Sequence, residues 1–485
     1  MDKNGFKNKV DVIFVGDFLN GFRNSLGICL LSACLKRAGF KNIKVCDQRF
    51  SKIKKLIKAN RFTFIAFSTL SVYTRPYLRL AEKLKRKFPE VVTLFGGPHP
   101  TFMPEMIENY GVDAVCRGEA ERALVEFLEN YDYRNKKVPE NVPGWWIKDF
   151  NGRIIKNNRA EIINDIDSLP DPDRSLFPPF GKLHFIFSRG CPGYCSFCAM
   201  PGMKHFYDKN FKDYFRTRSV DKTLAEIKSV VASFGRQNLF FHDSIFGLDR
   251  NWLKEFSRRY RLEVGLPFFC NSSINIVDHE YLQLLKSAGC KNIFFGLETA
   301  DQEVRRRVLK KNFTNTDFFS VIKLARSYGL EVDVFILIGL PDGKLEDDLN
   351  SMAMAAEASS NYHNISVQVL CYLPGTSIRK KYQTFFPKDK EDFRFSRNVK
   401  YPVLNYKSLR KDLHLLYRLQ SLTTLFAYLV IPGLGIRRTI FELPPKVVKL
   451  LIHLPVFHIS NMLAKKIIKH DSFKKNKKYF SFFKK

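Results

Sequence analysis

Several common signals are missing from this sequence. No Gly-x-Gly-x-x-Gly follows the first predicted strand at 10–15, which argues against a dinucleotide-binding domain. The polar segment 1–9 shows no secretory leader, and the ten cysteines are scattered as in proteins of a reducing compartment. The apolar run 425–431 is too short for a bilayer, which takes about 20 residues. We therefore expect a cytoplasmic protein.

Acidic residues are scarce relative to basic ones. The 485 residues include 48 Asp and Glu against 80 Lys and Arg, which gives a formal net charge of +32. Such a charge attracts nucleic acid or an anionic membrane surface but does not specify a fold. The content of hydrophobic residues, 45%, is ordinary for a globular protein. The length leaves room for two or three domains.

Three of the cysteines, Cys191, Cys195 and Cys198, lie close together with the spacing Cys-x-x-x-Cys-x-x-Cys. A [4Fe-4S] cluster normally takes one thiolate on each iron, so three cysteines leave one iron open to another ligand. An open iron indicates chemistry in addition to electron transfer. The spacing therefore predicts an iron-sulfur enzyme.

A structural zinc site and three unrelated buried thiols are the alternatives. Zinc takes four ligands, commonly in pairs, and the nearest histidines, His184 and His205, lie at no zinc-finger spacing. The apolar run 183–188 precedes the cysteines and predicts a buried strand. The cysteine loop would then follow the carboxyl end of a strand, where barrel enzymes place their chemistry.

The first ~130 residues alternate apolar strands with helical segments, which predicts a parallel sheet with helices on both faces. The predicted strands are 10–15, 43–46, 63–68, 91–95 and 113–116. Ligands of such open sheets bind beyond the carboxyl ends of the strands. The loops at 16–26, 68–71, 96–100 and 117–119 are therefore the candidate binding segments.

The middle of the chain repeats the alternation. Its six predicted strands are 183–188, 239–241, 267–271, 293–297, 332–338 and 365–371. Between the two regions, a predicted hairpin with an Asn-Gly turn at 151–152 belongs to a connector. We expect four parts, with boundaries at 1–135, 136–180 (linker with hairpin), 181–378 and 379–485.

The cysteine loop resembles that of the radical S-adenosylmethionine (SAM) superfamily, in which SAM chelates the open iron and an aromatic residue, here Phe197, precedes the last cysteine. The segments Gly-Gly-Pro-His-Pro-Thr, Arg-Gly-Glu-Ala-Glu and Leu-Pro-Asp-Pro-Asp-Arg resemble the cobalamin-dependent branch of that superfamily. The resemblance implies an α/β protein. A doubly wound, Rossmann-like cobalamin domain would precede a partial (β/α)6 radical SAM barrel and a mostly helical C-terminal region.

The resemblance also implies three cofactors, namely a [4Fe-4S] cluster, SAM and cobalamin. The implied SAM-binding residues are Phe197, His242, Asp243, Ser244, Glu298, Ile338 and Gly339. Two of them have simpler explanations, because Asp243 could cap a helix and Gly339 could end a strand.

The implied cobalamin-binding residues are Asp17, Ser68, Thr69, Leu70, Gly96, Gly97, Pro98, His99, Gly118 and Glu119. Tight turns alone would also explain the glycines. The Asp-x-His-x-x-Gly element of the methionine-synthase type is missing from 16–21, which implies cobalamin without a histidine on its lower face. We interpret His99 as a loop histidine that bonds its neighbours.

The region 379–485 interleaves aromatic and basic residues. Segment 446–469 has the composition of a helix that lies in a membrane interface, and a basic, aromatic end follows it. Peripheral contact with the inner face of the membrane is one interpretation, and a helical cap with a solvated tail is the alternative. Nucleic acid is disfavoured, because no RNA-binding motif is visible and the tRNA-methylthiolating radical SAM enzymes resemble the chain less.

The resemblance implies C-methylation of an unactivated carbon by way of a 5′-deoxyadenosyl radical and methylcobalamin. Because the tail suits a membrane, the substrate is expected to be lipid-like or another small molecule. The resemblance also implies a partner, a low-potential electron donor of the flavodoxin or ferredoxin type. Radical ring closure or C–C bond formation, RNA modification, and a non-catalytic cobalamin or cluster sensor are the alternatives.

Overall fold

The computed structural model describes residues 7–16, 25–58, 60–133, 135, 137–149, 151–177, 182–341, 343, 345–359 and 366–382. These residues form two compact units. The first contains the described residues up to Gly265 together with those from Cys371 onward, and the second contains those from Leu266 to Leu370.

The first unit begins with a seven-stranded sheet in the order β2-β1-β3-β4-β5-β6-β7. Its strands are β1 (Val10–Val15), β2 (Asn42–Cys46), β3 (Phe62–Ser68), β4 (Val92–Gly96), β5 (Ala114–Cys116), β6 (Trp145–Lys148) and β7 (Ile154–Lys156). The accompanying helices are α1 (Leu26–Arg37), α2 (Phe50–Leu56), α3 (Thr74–Lys87), α4 (Pro98–Phe102) and α5 (Glu121–Asn130). Strands β1 to β5 are parallel, as predicted.

The predicted hairpin is β6 and β7, and it extends this sheet. Strand β6 pairs antiparallel with β5, and β7 pairs with β6. The sequence predicts this hairpin as part of a connector, whereas the structure adds it to the edge of the parallel sheet.

Burial on both faces explains why the strands of this sheet are so apolar. Val10, Val12 and Phe14 of β1 point into one core cluster, while Ile13 and Val15 point into another. A parallel sheet covered by helices on both sides requires this pattern, because no face is left to water. The doubly wound fold expected for the N-terminal region is confirmed.

The first unit continues with two short strand pairs. Strand β8 (Leu183–Phe185) pairs with β11 (Leu239–Phe241), and β9 (Ser188–Arg189) pairs with β10 (Arg216–Thr217). The first pair is parallel and the second antiparallel. The helices here are α6 (Ala199–Phe206), α7 (Phe211–Tyr214), α8 (Val220–Phe234) and α9 (Arg250–Glu263). The strand predicted at 183–188 is therefore split, because the chain changes partner after Phe185.

The second unit is a regular alternation of parallel strands and helices. Its strands are β12 (Phe268–Ser272), β13 (Cys290–Glu298), β14 (Glu331–Ile338) and β15 (Ser366–Val369), paired in that order. Its helices are α10 (His279–Ala288), α11 (Gln302–Arg307), α12 (Asn315–Ser327) and α13 (Leu345–Ala358). Helix α14 (Ser377–Lys381) follows in the part of the chain that belongs to the first unit.

Short 3-10 turns complete the described structure, at Ser71–Tyr73, Pro104–Glu108, Ile166–Ser168, Arg174–Leu176 and Ile274–Ile276. The segment 446–469, on which the membrane expectation rests, lies outside the described residues. Within the described ranges, no helix is both long and apolar enough to cross a bilayer.

Candidate active site

The three-cysteine loop connects β9 to α6. Gly190 opens it with φ +97°, and a Cβ there would lie 2.9 Å from the carbonyl oxygen of Tyr214. Only glycine suits that position. Cys198 ends the loop as the residue that precedes α6, and its Sγ accepts the backbone N–H of Met200 at 3.5 Å.

The backbone of the loop contacts its sulfurs. The Sγ of Cys191 accepts the N–H of Gly193 at 3.4 Å, and a Cβ built on Gly193 would lie 3.5 and 3.6 Å from the Sγ atoms of Cys191 and Cys195. Hydrogen bonds to the sulfurs are one means by which proteins tune such clusters. All three cysteines are partly exposed. The loop therefore leaves room for a group that its sulfurs could hold.

A single metal ion fits less well. Across the described ranges, no group of three or more His, Cys, Asp or Glu side chains is arranged to hold one ion. Thiolates of a cluster bind different irons and need not converge on one point. A cluster therefore does not need such an arrangement, and it stays a prediction of the cysteine spacing.

A buried cation lies beside the loop. Lys204 of α6 is 7% exposed, and its Nζ has no hydrogen-bond partner among the described residues. The Nζ lies 3.8 Å from the ring centroid of Tyr194, which stands in the cysteine loop and is 66% exposed. An ammonium satisfied only by an aromatic face suits the neighbourhood of an anionic group.

Four of the expected SAM-binding residues lie in the first unit. Phe197 is partly exposed in the cysteine loop, and Ser244 is exposed after β11. Asp243 is only 2% exposed. Its carboxylate accepts the Phe187 N–H at 3.2 Å and the hydroxyl of Ser188. Burial raises the pKa of Asp243 to about 6.

His242 forms a pair that sequence reasoning missed. Its Nε2 lies 2.6 Å from the Nδ1 of His184 on β8. Burial lowers the pKa of both histidines to about 4, so both are neutral near pH 7. Ile186, two positions after His184, is a large apolar side chain that is 47% exposed. The only signal in the sequence was one polar residue within an apolar run.

The other expected SAM-binding residues lie in the second unit, at the carboxyl ends of neighbouring strands. Glu298 ends β13 with φ +67° and pairs with the Nζ of Lys311 at 3.0 Å. Ile338 ends β14, and the N–H of the following Gly339 bonds to a carboxylate oxygen of Asp348 at 3.2 Å. Burial raises the pKa of Asp348 to about 7. The structure thus places Glu298, Ile338 and Gly339 at one edge of this sheet.

The expected cobalamin-binding residues after β3 and β4 contact one another. The Thr69 N–H donates to the Gly96 oxygen at 2.8 Å, and the His99 N–H donates to the Thr69 oxygen at 3.3 Å. Gly97 has φ +108°, and a Cβ there would lie 3.0 Å from the Thr69 oxygen. Leu70, between these contacts, leaves 49% of its surface exposed. An exposed apolar side chain at the carboxyl edge of a sheet suits a large, flat ligand.

His99 itself is buried, and its Nδ1 lies 3.0 Å from the Oγ of Ser71. Burial, with a smaller contribution from Arg379, lowers its pKa to about 4. Ser68 ends β3 and Pro98 begins α4 at the same edge. Asp17 lies outside the described residues.

We name residues 188–217, which comprise the cysteine loop and its flanks, the cluster segment. The loop Arg117-Gly118-Glu119 contacts this segment. The guanidinium of Arg117 lies 5.0 Å from the ring centroid of Phe206. A Cβ on Gly118 would lie 2.1 Å from the Tyr207 hydroxyl oxygen. That hydroxyl accepts the Glu119 N–H at 2.6 Å. No local pattern in the sequence predicts these contacts.

The Glu119 carboxylate binds two arginines of the cluster segment. It lies 2.9 Å from an Nη of Arg189 and 2.9 Å from an Nη of Arg216. It also accepts the Ile163 N–H at 3.0 Å. Burial would raise the pKa of Glu119, but the two arginines outweigh it and hold the pKa below its ordinary value. Glu121 is a second partner of Arg189.

Two family models match the sequence. The radical SAM superfamily matches residues 185–355, and the B12 binding domain matches residues 19–128. The chain contains the two domains of the cobalamin-dependent radical SAM enzymes, a B12 binding domain followed by a radical SAM domain. It is a radical SAM enzyme, and its family implies a [4Fe-4S] cluster, SAM and cobalamin as cofactors.

Relatives of this radical SAM enzyme include an uncharacterized methyltransferase of Pyrococcus horikoshii, 26% identical over 68% of this chain and 72% of the relative. The anaerobic magnesium-protoporphyrin IX monomethyl ester cyclase of Cereibacter sphaeroides is 26% identical over 70% of this chain and 57% of its own length. The hopanoid C-3 methylase of Methylococcus capsulatus is 24% identical, covering 65% and 61%. The chain thus spans little more than half of several relatives.

Solved structures support the fold. The radical SAM methyltransferase TsrM of Kitasatospora setae, solved with cobalamin and a [4Fe-4S] cluster, matches with a TM-score of 0.60. The match has 15% identity and covers 83% of this chain and 84% of that chain. At that identity the likeness concerns the architecture alone, and it agrees with a B12 binding domain that precedes a radical SAM domain.

Proposed function

We propose that this enzyme transfers a methyl group to an unactivated carbon of a lipid-like or other small molecule. The observation that carries the proposal is structural. Loops at the carboxyl edge of the B12-domain sheet contact the cluster segment through Glu119 and Tyr207 within one compact unit. A methyl carrier and a radical generator must act on one substrate, so the domains that bind them have to be held together.

Each cofactor has candidate residues in the chain. The thiolates of Cys191, Cys195 and Cys198 would hold the cluster, and the SAM contacts would come from Phe197, His242, Asp243, Ser244, Glu298, Ile338 and Gly339. The loops after β3 and β4, with Asp17, Gly118 and Glu119, would bind cobalamin. When bound, these cofactors supply hydrogen abstraction from an unactivated carbon and a transferable methyl group.

The protein's own side chains would then do three things. Apolar side chains such as Ile186 and Leu70 would exclude water from the reacting groups. The neutral pair of His184 and His242 offers hydrogen bonds without a charge, which suits an uncharged substrate. Asp243 would hold Ser188 and Phe187, and with them the strand that enters the cysteine loop.

The lipid-like substrate is supported by the likeness to the hopanoid C-3 methylase. A low-potential electron donor of the flavodoxin or ferredoxin type would supply the reductant. The basic tail at 446–485 would bring the enzyme to an anionic membrane surface at the inner face of the membrane.

Ring closure is the second candidate function. The cyclase of Cereibacter sphaeroides is 26% identical over 367 residues, the same identity as that of the Pyrococcus horikoshii methyltransferase, although less of the cyclase is covered. Both reactions start from the same radical chemistry. The mass of the product distinguishes them, because methylation adds one methylene and ring closure removes two hydrogens.

The decisive experiment combines cofactor analysis with product mass. Anaerobically reconstituted protein should hold about four irons, and Cys195→Ala should lose the iron and the formation of 5′-deoxyadenosine. Cys46→Ala, a buried cysteine of the same unit, should retain both. Lipid extracts of cells with and without the gene are then compared by mass spectrometry. Iron retained in Cys195→Ala would contradict the cluster assignment, and a loss of two hydrogens would favour ring closure.

A further inference from the structure

Glu119 contacts the cluster segment on both sides of the cysteine loop. On the N-terminal side its carboxylate pairs with Arg189, which is separated from Cys191 only by Gly190. On the C-terminal side its backbone N–H bonds to Tyr207, the residue that ends α6. One residue of the B12 domain therefore fixes both flanks of the cysteine loop.

The same residue is linked to the expected cobalamin loop. The Thr101 hydroxyl donates to the Gly97 oxygen at 2.9 Å, and the Gly118 N–H donates to that hydroxyl's oxygen at 2.9 Å. Glu119 follows directly. A chain of hydrogen bonds and an ion pair thus runs from Gly97 through Thr101 to Glu119 and on to Arg189.

The ion pairs at the end of this series of contacts depend on the charge of their members. Glu119 and Arg216 have side chains that are 12% and 6% exposed, so the ion pair is poorly screened by water. Glu119 and Glu121 balance Arg189 and Arg216. A movement of the Glu119 carboxylate would change the field that Arg189 exerts on the neighbouring loop.

We propose that Glu119 is a positioning residue that couples the occupancy of the Gly97 loop by cobalamin to the reduction potential of the cluster. The proposal rests on the proposed function, since it requires both cofactors. Any ligand that shifts Glu119 changes the cluster's surroundings, and by linkage the reduction of the cluster changes the affinity for that ligand by the same factor. The protein could thereby favour electron entry when the methyl carrier is in place.

The test is an EPR-monitored redox titration of the reduced cluster, with and without hydroxocobalamin, on full-length protein. Cobalt is reduced at a higher potential than the cluster, so the ligand present during the titration is cob(II)alamin, and its EPR signal is subtracted from that of the cluster. In the wild type, hydroxocobalamin should shift the midpoint potential of the cluster. Glu119→Gln should still bind hydroxocobalamin, as its absorption spectrum would show, but the shift should be lost, and the potential should rise because one negative charge is removed near Arg189.

Two matched variants separate charge from coupling. Glu121→Gln removes one of the two carboxylates that pair with Arg189 but keeps the contacts of Glu119 with Arg216 and Tyr207. The midpoint potential of its cluster should therefore rise, while the shift caused by hydroxocobalamin remains. Glu126→Gln changes an exposed residue of the same helix and should behave as the wild type. If Glu119→Gln does not fold, Glu119→Asp keeps the charge on a shorter side chain and should weaken the shift.

Three outcomes are decisive. A shift in Glu119→Gln equal to that of the wild type would overturn the proposal. So would a wild type that binds hydroxocobalamin, as its absorption spectrum shows, without any shift of the potential. Failure of the wild type to bind cobalamin or iron would instead contradict the proposed function, so the two failures are distinguishable.

Discussion

A largely buried and a fully buried carboxylate hold the same short strand by opposite means. Glu119, from the B12 domain, binds Arg189 of β9, and Asp243, after β11, binds Ser188, the other residue of β9. Cations around Glu119 hold its pKa below the ordinary value, whereas burial among neutral donors raises the pKa of Asp243 to about 6. Burial acts on both, so the charge of the partners decides the sign.

The two carboxylates, which we call the anchors of β9, should respond differently to substitution. An ion pair with buried arginines fails when one partner is removed, because the others are left with uncompensated charge. A carboxylate among neutral donors suffers from its own ionisation, so a neutral substitute can serve as well. Glu119 therefore holds β9 through the attraction of opposite charges, whereas Asp243 holds β9 although the ionisation of its carboxylate is unfavourable.

The largest effect is expected from Glu119→Ala. It leaves Arg216 without its carboxylate partner and Arg189 with Glu121 alone, and it should lower the free energy of unfolding of the first unit by about 4 kcal/mol. All three tryptophans, Trp145, Trp146 and Trp252, lie in this unit, so tryptophan fluorescence in urea measures it. Glu126→Ala is the control. A loss below about 1 kcal/mol would mean that the pairs contribute little.

Asp243→Asn should have a smaller effect that depends on pH. The folded pKa of about 6 lies above the ordinary value of 3.8 for an aspartate, so the folded state binds more protons between these values and its stability falls as the pH rises. Raising the pKa from 3.8 to about 6 corresponds to about 3 kcal/mol, fully expressed above pH 6. Asn cannot ionise, so the variant should gain on the wild type by up to that amount between pH 4 and pH 7.

Urea midpoints of the two proteins at pH 4.5 and 7.5 check this expectation. The quantity of interest is the difference between wild type and variant, because other groups titrate equally in both. A difference that does not change with pH would contradict the raised pKa. A variant that is less stable at both values would mean that the carboxylate's hydrogen bonds outweigh the cost of its burial.

The sequence predicted the elements well where a local pattern defined them. Strands β1 and β11 have the predicted bounds, and β2 to β5 differ by one residue. The cysteine spacing predicted the loop in the same way, since the chemistry requires those residues near one another in the chain. Periodicity and motif are local properties, and here they were sufficient.

Long-range contacts were not predictable from such patterns. Glu119 and Arg189 are 70 positions apart, and nothing local indicates that they pair. Two acids at 119 and 121 and two arginines at 189 and 216 offered a signal of complementary charge, but the chain holds 80 basic residues among which to choose. The split of the predicted strand at 183–188 has the same origin, because β9 turns to a partner that lies after the cysteines.

Tyr207→Phe tests the uncharged part of the Glu119 contact. The ring keeps its shape, but the Glu119 N–H loses the oxygen that accepts it at 2.6 Å. An unpaired, largely buried donor should cost about 2 kcal/mol in the free energy of unfolding. Tyr110→Phe, at a residue that is 61% exposed, should change little. Equal stabilities of the two variants would show that water replaces the hydroxyl.

Ser188→Ala should have the smallest effect and bears most directly on the comparison. It removes the hydroxyl donor of Asp243 but leaves the Phe187 N–H at 3.2 Å. One hydrogen bond to a carboxylate should contribute about 1 to 2 kcal/mol when the carboxylate is ionised and less when it is protonated. The loss should therefore be greater at pH 7.5 than at pH 4.5. In Asp243→Asn the same substitution should cost less, since the charge is gone. A loss that is equal at both pH values and in both backgrounds would mean that Ser188 acts through packing, and the two anchors of β9 would then differ only in the strength of their contacts.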